Sequence, residues 1–132
     1  EDLKHVLESS PHHHQALTSV GECYLELERP ERAENPLNEA ILLEPNYAPA
    51  WHQRGLMYMH IGRNENALDD FQSAVRCDGK HLDSRLRIAA IHHQAERFAE
   101  AEVAWLAVLA QDPDHTVART RLAECEGNLA KV

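Results

Sequence analysis

Apolar residues recur along the chain at intervals of three and four, the spacing that places them on one face of an α-helix. Leu17, Val20, Tyr24 and Leu27 form one such run. The next run follows Pro30, which can open a helix because the first helical N–H needs no partner there. This alternation of runs and breaks continues to the C-terminus and predicts an all-α protein of short amphipathic helices.

The second of these helices contains an irregular feature. Its apolar face would consist of Ala33, Leu37, Ala40, Ile41 and Leu43. Pro36 lies within it, where a proline removes a backbone hydrogen bond and disfavours helical geometry in the preceding residue. We therefore expect this helix to start late or to kink.

The pattern has a fixed period. Small residues lie 34 positions apart at Gly21, Gly55 and Ala89, and so do the helix-breaking joints, which stand at Pro45, Gly79 and Pro113. A period of this length indicates a stacked array of repeats, each of which buries its apolar face against its neighbours. Small residues at fixed places predict close helix crossings.

The period divides the chain into units. Residues 14–47, 48–81 and 82–115 form three full repeats, and residues 116–132 form a C-terminal capping helix with one apolar stripe. Residues 1–12 match the second helix of a truncated preceding repeat. Its apolar face carries Leu3, Val6 and Leu7, and we expect this face to be exposed or to be covered by an upstream segment or another copy of the chain.

Charge, apolar run length and cysteine content limit the kinds of partner and the location that we expect for the protein. The formal charge is −9 with all ten histidines counted as neutral, which argues against nucleic acid because that partner requires a basic face. No apolar run is long enough to insert into a membrane. The three cysteines, Cys23, Cys77 and Cys125, have no CxxC spacing, so we expect reduced thiols and a cytoplasmic location.

Motifs of catalytic or metal chemistry are missing from the sequence, which has no HExxH, GxSxG, phosphate-loop or GxGxxG pattern. His92, His93 and Glu96 fall at helical neighbour spacing, as metal ligands could, but no further ligand is evident. We predict that the protein is not an enzyme and binds no cofactor or metal.

The repeats resemble the tetratricopeptide repeat family. The residues of the second unit that carry the resemblance are Trp51, Gly55, Tyr58, Ala67, Phe71 and Ala74. The first unit keeps Gly21, Tyr24, Ala33, Ala40 and Pro45, and the third keeps Ala101, Trp105 and Pro113. Arg54 and Gly79 stand where the family has Leu and Pro. The resemblance implies a right-handed superhelix, or α-solenoid, of antiparallel helix pairs.

The resemblance also implies a concave groove, lined by the first helix of each pair, that holds an extended peptide or a partner helix. The positions expected to face it are Gln15, Thr18, Ser19, Glu22, Glu26, Pro49, His52, Gln53, Leu56, Met59, His60, Asp83, Leu86, Arg87, Ala90, His93, Gln94, Val117, Thr120, Arg121 and Glu124.

One subgroup of the family grips a chaperone's C-terminal carboxylate with Lys, Asn and Arg side chains. The matching places here are occupied by Thr18, Glu22, Gln53, Asp83 and Arg87, of which only Arg87 fits, and two are carboxylates that would repel the ligand. We therefore reject that ligand for this chain.

Other groove residues leave two interpretations open. Arg87 and Arg121, one repeat apart, could hold an anionic group. The alternative, which we favour, is that they are solvated or paired within the chain, with Asp83 and Glu124 close by. A second group of groove residues forms either a patch for apolar peptide side chains or a plain solvent face, and consists of His52, Leu56, Met59, His60 and His93.

These observations predict a non-catalytic scaffold that binds a protein or peptide of unknown identity in its groove. The first alternative is a regulatory or substrate-presenting repeat region of a larger enzyme. The second is a self-association module that uses the apolar face of residues 1–12.

Overall fold

A computed structural model describes residues 13–131, and within this range the regular secondary structure consists of seven α-helices and no strand. The helices are α1 (His13–Glu26), α2 (Pro30–Leu43), α3 (Ala48–His60), α4 (Asn64–Cys77), α5 (Leu82–Gln94), α6 (Phe98–Gln111) and α7 (Thr116–Leu129). The prediction of an all-α repeat is confirmed. The helix expected over residues 1–12, with Leu3, Val6 and Leu7, lies outside the described residues.

The helices form two compact units that divide between Cys77 and Asp78. In the first unit, α1 packs on α2, α3 packs on α4, and both α1 and α2 contact α3. In the second unit, α6 packs between α5 and α7, which also touch each other. Within each unit, every helix therefore packs against the next helix in the chain, as a repeat array requires.

Glycine permits the closest helix approach in each pair of the first unit. A Cβ atom on Gly21 would lie 2.5 Å from Cγ of Leu37, and one on Gly55 would lie 2.6 Å from Cε1 of Phe71. Leu37 and Phe71 are both fully buried by this approach. In the second unit, Ala89 is fully buried in the same cluster as Trp105.

The turn after the first helix of each pair uses the same backbone geometry three times. Glu28, Gly62 and Glu96 are 34 residues apart and have φ angles of 59°, 80° and 61°. The following amide donates back five residues in each case, from Arg29 to the Tyr24 carbonyl and at the two equivalent places. These are Schellman endings, in which a left-handed residue satisfies the last carbonyls of the helix.

Two apolar residues do not join the core as expected. Leu27 is 65% exposed because it lies beyond the end of α1 and no longer follows the helical period, and Leu25 is buried in its place. Leu43 is 46% exposed, since it is turned by about 200° from the buried Ile41 two residues earlier.

The expected late start of α2 is also wrong. The helix begins at Pro30 and continues through Pro36 to Leu43. Ala33, Leu37 and Ala40, which flank the proline, are completely buried. Their burial offsets the loss of one backbone hydrogen bond at Pro36.

Arg54, which occupies a leucine position of the repeat, ties three helices together. Its Nε and Nη2 atoms donate to the two carboxylate oxygens of Asp70 on α4 at 2.8 and 2.9 Å, and Nη1 donates to Asn38 on α2 at 3.1 Å. The hydrogen bond to Asp70 raises the pKa of Arg54. This forked ion pair supplies a specific contact where the repeat ordinarily buries an apolar side chain.

The glycine crossing predicts how Gly55 variants behave. Gly55→Leu should overpack the contact with Phe71 and lower the melting temperature by about 5 °C or more. Gly127→Ala is the matched control, because nothing lies within 4 Å of a Cβ atom at that helical position. The control should gain about 0.5–1 kcal/mol of stability, since alanine favours the helix. An unchanged melting temperature for Gly55→Leu would refute the close crossing.

The left-handed turns predict a stabilising substitution. Glu28→Gly and Glu96→Gly should each raise the free energy of unfolding by about 0.5 kcal/mol, because glycine adopts positive φ without a steric penalty but loses more chain entropy. Gly62→Ala should have the opposite effect. Urea unfolding of the three variants measures this, and equal midpoints for all of them would contradict the assigned geometry.

Candidate functional site

The predicted groove residues of the first unit lie on α1 and α3. Ser19, Glu22 and His60 are exposed there. Gln53, Leu56 and Met59 are half-buried on α3, and Leu56 also packs against the core. These side chains give the first-helix face of this unit a mixed apolar and acidic surface.

Two predicted groove residues of the first unit are buried. Thr18 is only 5% exposed and its hydroxyl donates to the carbonyl of His14 at 2.8 Å. His52 is 7% exposed, with its ring centre 5.3 Å from that of Phe71. Because both side chains face the interior, the prediction that they offer contact surface to a ligand is corrected here. His52 also leaves the proposed apolar patch.

In the second unit, predicted residues from two helices come together around a pocket of about 460 Å³. Its lining consists of Ala90, His93, Gln94, Trp105, Val117 and Arg121. A neighbouring depression of about 320 Å³ shares Val117 and Arg121 and adds Thr116, Thr120 and Glu124. The pocket therefore lies on predicted groove positions of both α5 and α7, whereas the depression lies on α7 alone.

Trp105 is the pocket residue that the sequence did not assign to the site. It lies on α6, which is the second helix of its pair, in the core cluster of this unit. Only 3% of its surface is exposed. The period predicted its core position but gave no signal that its edge would also face a cavity. Asp83 and Arg87, by contrast, are exposed on α5 and lie outside both linings.

His93 is held in one orientation by neighbours on two helices. The indole Nε1 of Trp105 donates to Nδ1 of His93 at 3.3 Å, and Nε2 of His93 lies 3.2 Å from a carboxylate oxygen of Glu124. Because an indole N–H can only donate, Nδ1 must be the acceptor. The proton of the neutral ring is therefore on Nε2, where it faces Glu124.

Arg121 is paired within the chain. Its Nη1 atom donates to Glu124 at 2.9 Å, and this hydrogen bond, supported by His93, lowers the pKa of Glu124. The interpretation of Arg121 as an internally paired residue is thus the one that the structure bears out. Arg87 is exposed and makes no ion pair within 4.0 Å among residues 13–131, so its guanidinium is available.

A spatial chain of three side chains resembles a catalytic nucleophile with its base and its orienting acid. It runs from Cys125 through His93 to Glu124. The sulfur of Cys125 lies 3.3 Å from Nδ1 of His93. However, Cys125 is fully buried, and its burial raises the pKa of the thiol, with a further contribution from Glu102. A protonated thiol without solvent access is a poor nucleophile, so the arrangement is a packing contact.

Glu96 lies beyond the end of α5, and His92, His93 and Glu96 do not form a ligand cluster. Over residues 13–131, no group of three or more His, Cys, Asp or Glu side chains could hold a metal ion. None of the helices in this range has the length and apolarity needed to cross a bilayer.

The environment of the cysteines predicts their reactivity. Cys23 is exposed and should react with a thiol reagent at neutral pH within minutes, whereas Cys125 should react only after unfolding, because its thiol is buried and protonated. Mass spectrometry of partly labelled protein identifies the modified cysteine. Labelling of Cys125 at the rate of Cys23 would contradict the packing described above.

Comparison with known proteins agrees with the repeat architecture. The family model of the tetratricopeptide repeat matches residues 24–81 and again residues 52–116. Superkiller complex protein 3 of Mus musculus is 28% identical over 118 residues. That match covers 80% of this chain but only 7% of the mouse protein, so the chain spans less than a tenth of that relative.

Solved structures share the fold at low sequence identity. The first tetratricopeptide repeat domain of Spaghetti (RPAP3), bound to the HSP90 peptide SRMEEVD, has a TM-score of 0.79 and 19% identity, over 89% of this chain and 95% of that one. The second such domain of human RPAP3, in complex with the HSP70 peptide SGPTIEEVD, has a TM-score of 0.79 and 22% identity, over 89% and 98%.

Proposed function

The chain belongs to the tetratricopeptide repeat family, and we propose that it is a non-catalytic scaffold that binds an extended peptide or partner segment along its first helices. The observation that carries the proposal is the pocket between α5 and α7 in the second unit. Two solved members of the fold bind peptides, which supports the same class of function here.

The pocket has the chemistry of a peptide site. Ala90, Trp105 and Val117 provide an apolar surface, while Gln94 and Arg121 provide polar groups at its rim. A peptide in extended conformation points alternate side chains to opposite sides and leaves its backbone amides unpaired. One apolar side chain would enter the pocket, and the Gln94 amide could pair with the adjacent backbone.

Charge around the pocket favours a ligand with a carboxylate next to that apolar residue. Arg87 is exposed on α5, one helical turn before Ala90, and has no ion pair among the described residues. Arg121 would have to share or release Glu124. We therefore propose that Arg87 is the main contact for the ligand's carboxylate and that Arg121 is a weaker one.

The ligand that we propose for this chain differs from the chaperone peptides bound by the two solved neighbours. Both peptides contain the sequence Glu-Glu-Val-Asp. Of the five positions compared for the carboxylate grip, this chain keeps a basic residue only at Arg87, while Glu22 and Asp83 are acidic. The repulsion between those carboxylates and an acidic terminus favours a different peptide.

A pair of valines provides the test. Val117 lines the pocket and is 53% exposed, whereas Val103 is 68% exposed on α6 and lines neither cavity. We expect Val117→Glu to weaken the binding of a peptide selected from a random library by at least about tenfold, because its carboxylate would fill the apolar site and compete for Arg121. Val103→Glu should leave the affinity unchanged.

The selected peptides are measured by fluorescence anisotropy, after circular dichroism has shown that both variants keep their helices. Arg87→Ala should then lower the affinity for acidic peptides more than the affinity for neutral ones. Equal affinity of the Val117 and Val103 variants would place binding outside this pocket. Failure to select any peptide would contradict the scaffold function itself.

A further inference from the structure

We propose that the outward face of α6 is a second binding surface, which holds an amphipathic helix whose apolar stripe is bordered by lysine or arginine side chains. The surface, here called the α6 stripe, consists of Ala99, Val103, Leu106 and Ala110. None of these residues lines either of the cavities described above, so the proposal is independent of the function proposed for the pocket.

The α6 stripe lies on the side of the helix that faces away from the core. All four of its residues are exposed, and the two large ones, Val103 and Leu106, are 68% and 50% exposed. On the opposite side of the helix, Ala101 and Val108 are completely buried. A helix with apolar residues on both sides is typical of one that is covered on both sides.

The 34-residue period provides an internal comparison for this face. The equivalent positions are Glu65, Asp69, Gln72 and Arg76 in α4, and Glu31, Asn35, Asn38 and Leu42 in α2. All of these residues except Leu42 are polar. Packing of the helix pairs therefore does not require apolar side chains at these positions, and the α6 stripe calls for a contact that the other two helices do not make.

The spacing of the α6 stripe indicates that its occupant is a helix. Its successive residues are four, three and four positions apart. This is the a and d spacing of a coiled coil, in which the apolar side chains of one helix pack between those of a second helix. Ala99 and Ala110 at the two ends allow the second backbone to approach closely. An extended segment, with its side-chain period of two residues, matches this spacing poorly.

Charge at the border of the stripe indicates the chemistry of that helix. With Val103 at position a and Leu106 at position d, Glu100 and Glu102 occupy positions e and g, whose charges determine which helix pairs with a coiled-coil strand. Neither carboxylate forms an ion pair within 4.0 Å among residues 13–131. Lysine or arginine at the bordering positions of the occupant would pair with them.

The cations of this chain do not supply that charge. Within Phe98–Gln111 there is no lysine or arginine. Arg97, which precedes the helix, donates to Nδ1 of His92 at 3.0 Å. A second copy of the chain would bring the same two glutamates and no cation on its own α6, and each copy has a formal charge of −9. This repulsion favours a basic partner helix over a second copy.

Two synthetic peptides test the proposal. Both contain about three heptads with leucine at positions a and d, and they carry either lysine or glutamate at positions e and g. Each is labelled, kept at a concentration at which it is monomeric, and titrated with the 132-residue chain in a fluorescence anisotropy measurement. The lysine peptide should bind at least about tenfold more tightly than the glutamate peptide.

Variants without a change of charge locate the binding. V103N/L106N gives α6 the two asparagines that α2 has at the same positions, and it should lower the affinity for the lysine peptide by at least about tenfold. V117N makes the same kind of change in the pocket and should leave this affinity unchanged. Equal affinities of V103N/L106N and V117N would overturn the proposal, and so would the absence of binding up to about 1 mM.

A second pair of variants separates specific pairing from the general attraction between a basic peptide and an acidic protein. E100Q/E102Q should lower the affinity for the lysine peptide by about threefold or more, because two ion pairs are lost. E22Q/E26Q removes the same charge from exposed positions on α1 and should have a clearly smaller effect. Equal effects of the two variants would overturn the assignment of the basic helix to α6.

Two further measurements are decisive without a binding variant. Amide chemical shifts of the unsubstituted chain should change mainly between Ala99 and Ala110 when the lysine peptide is added, and changes confined to other helices would contradict the proposal. Sedimentation velocity of the chain alone tests the other occupant. A dimer that V103N/L106N dissociates would assign the α6 stripe to a second copy and would overturn the proposal of a basic partner helix.

Discussion

The close approach of paired helices at a residue with no side chain is the constraint on which this structure depends. At Gly21 and Gly55 the facing helix comes so near that Leu37 and Phe71 occupy the space of the missing Cβ atom. Any larger residue would push the helices apart and open the core beneath them. The 34-residue period places a small residue at this position in each pair, glycine at 21 and 55 and alanine at 89, and the turn that follows recurs with it.

The sequence predicted the features that repeat through residue type and missed those that repeat only through backbone shape. Glycine favours a positive φ, and Gly62 adopts one at the end of α3. Glu28 and Glu96 adopt the same conformation, although glutamate gives no local signal for it, because the Schellman hydrogen bonds hold the turn. Only their register with Gly62 could have revealed them.

The candidate site shows a second limit of the same kind. Helical spacing predicts the direction in which a side chain points. It predicted that Ala90, His93 and Arg121 lie on the face where a pocket is found. It does not state how far the next helix extends over that face. The ring of Phe71 lies against His52, which is buried, whereas Val117 is 53% exposed, so two residues predicted to face the groove have opposite exposure.

Departures from the family pattern are compensated by contacts that fill the same place with different chemistry. Arg54 occupies a position where the family has leucine, and its guanidinium donates hydrogen bonds to Asp70 and Asn38. At the repeat joints, Trp51 donates to the Pro45 carbonyl at 2.8 Å, and Arg85, 34 residues later, donates to the Gly79 carbonyl at 2.9 Å. At these two joints the equivalent carbonyl therefore accepts a side-chain hydrogen bond from two different kinds of donor. Because Pro45 and Gly79 are both exposed, water could also pair with these carbonyls, so the recurring contact reflects the backbone geometry that the two joints share and not the cost of a buried, unpaired acceptor.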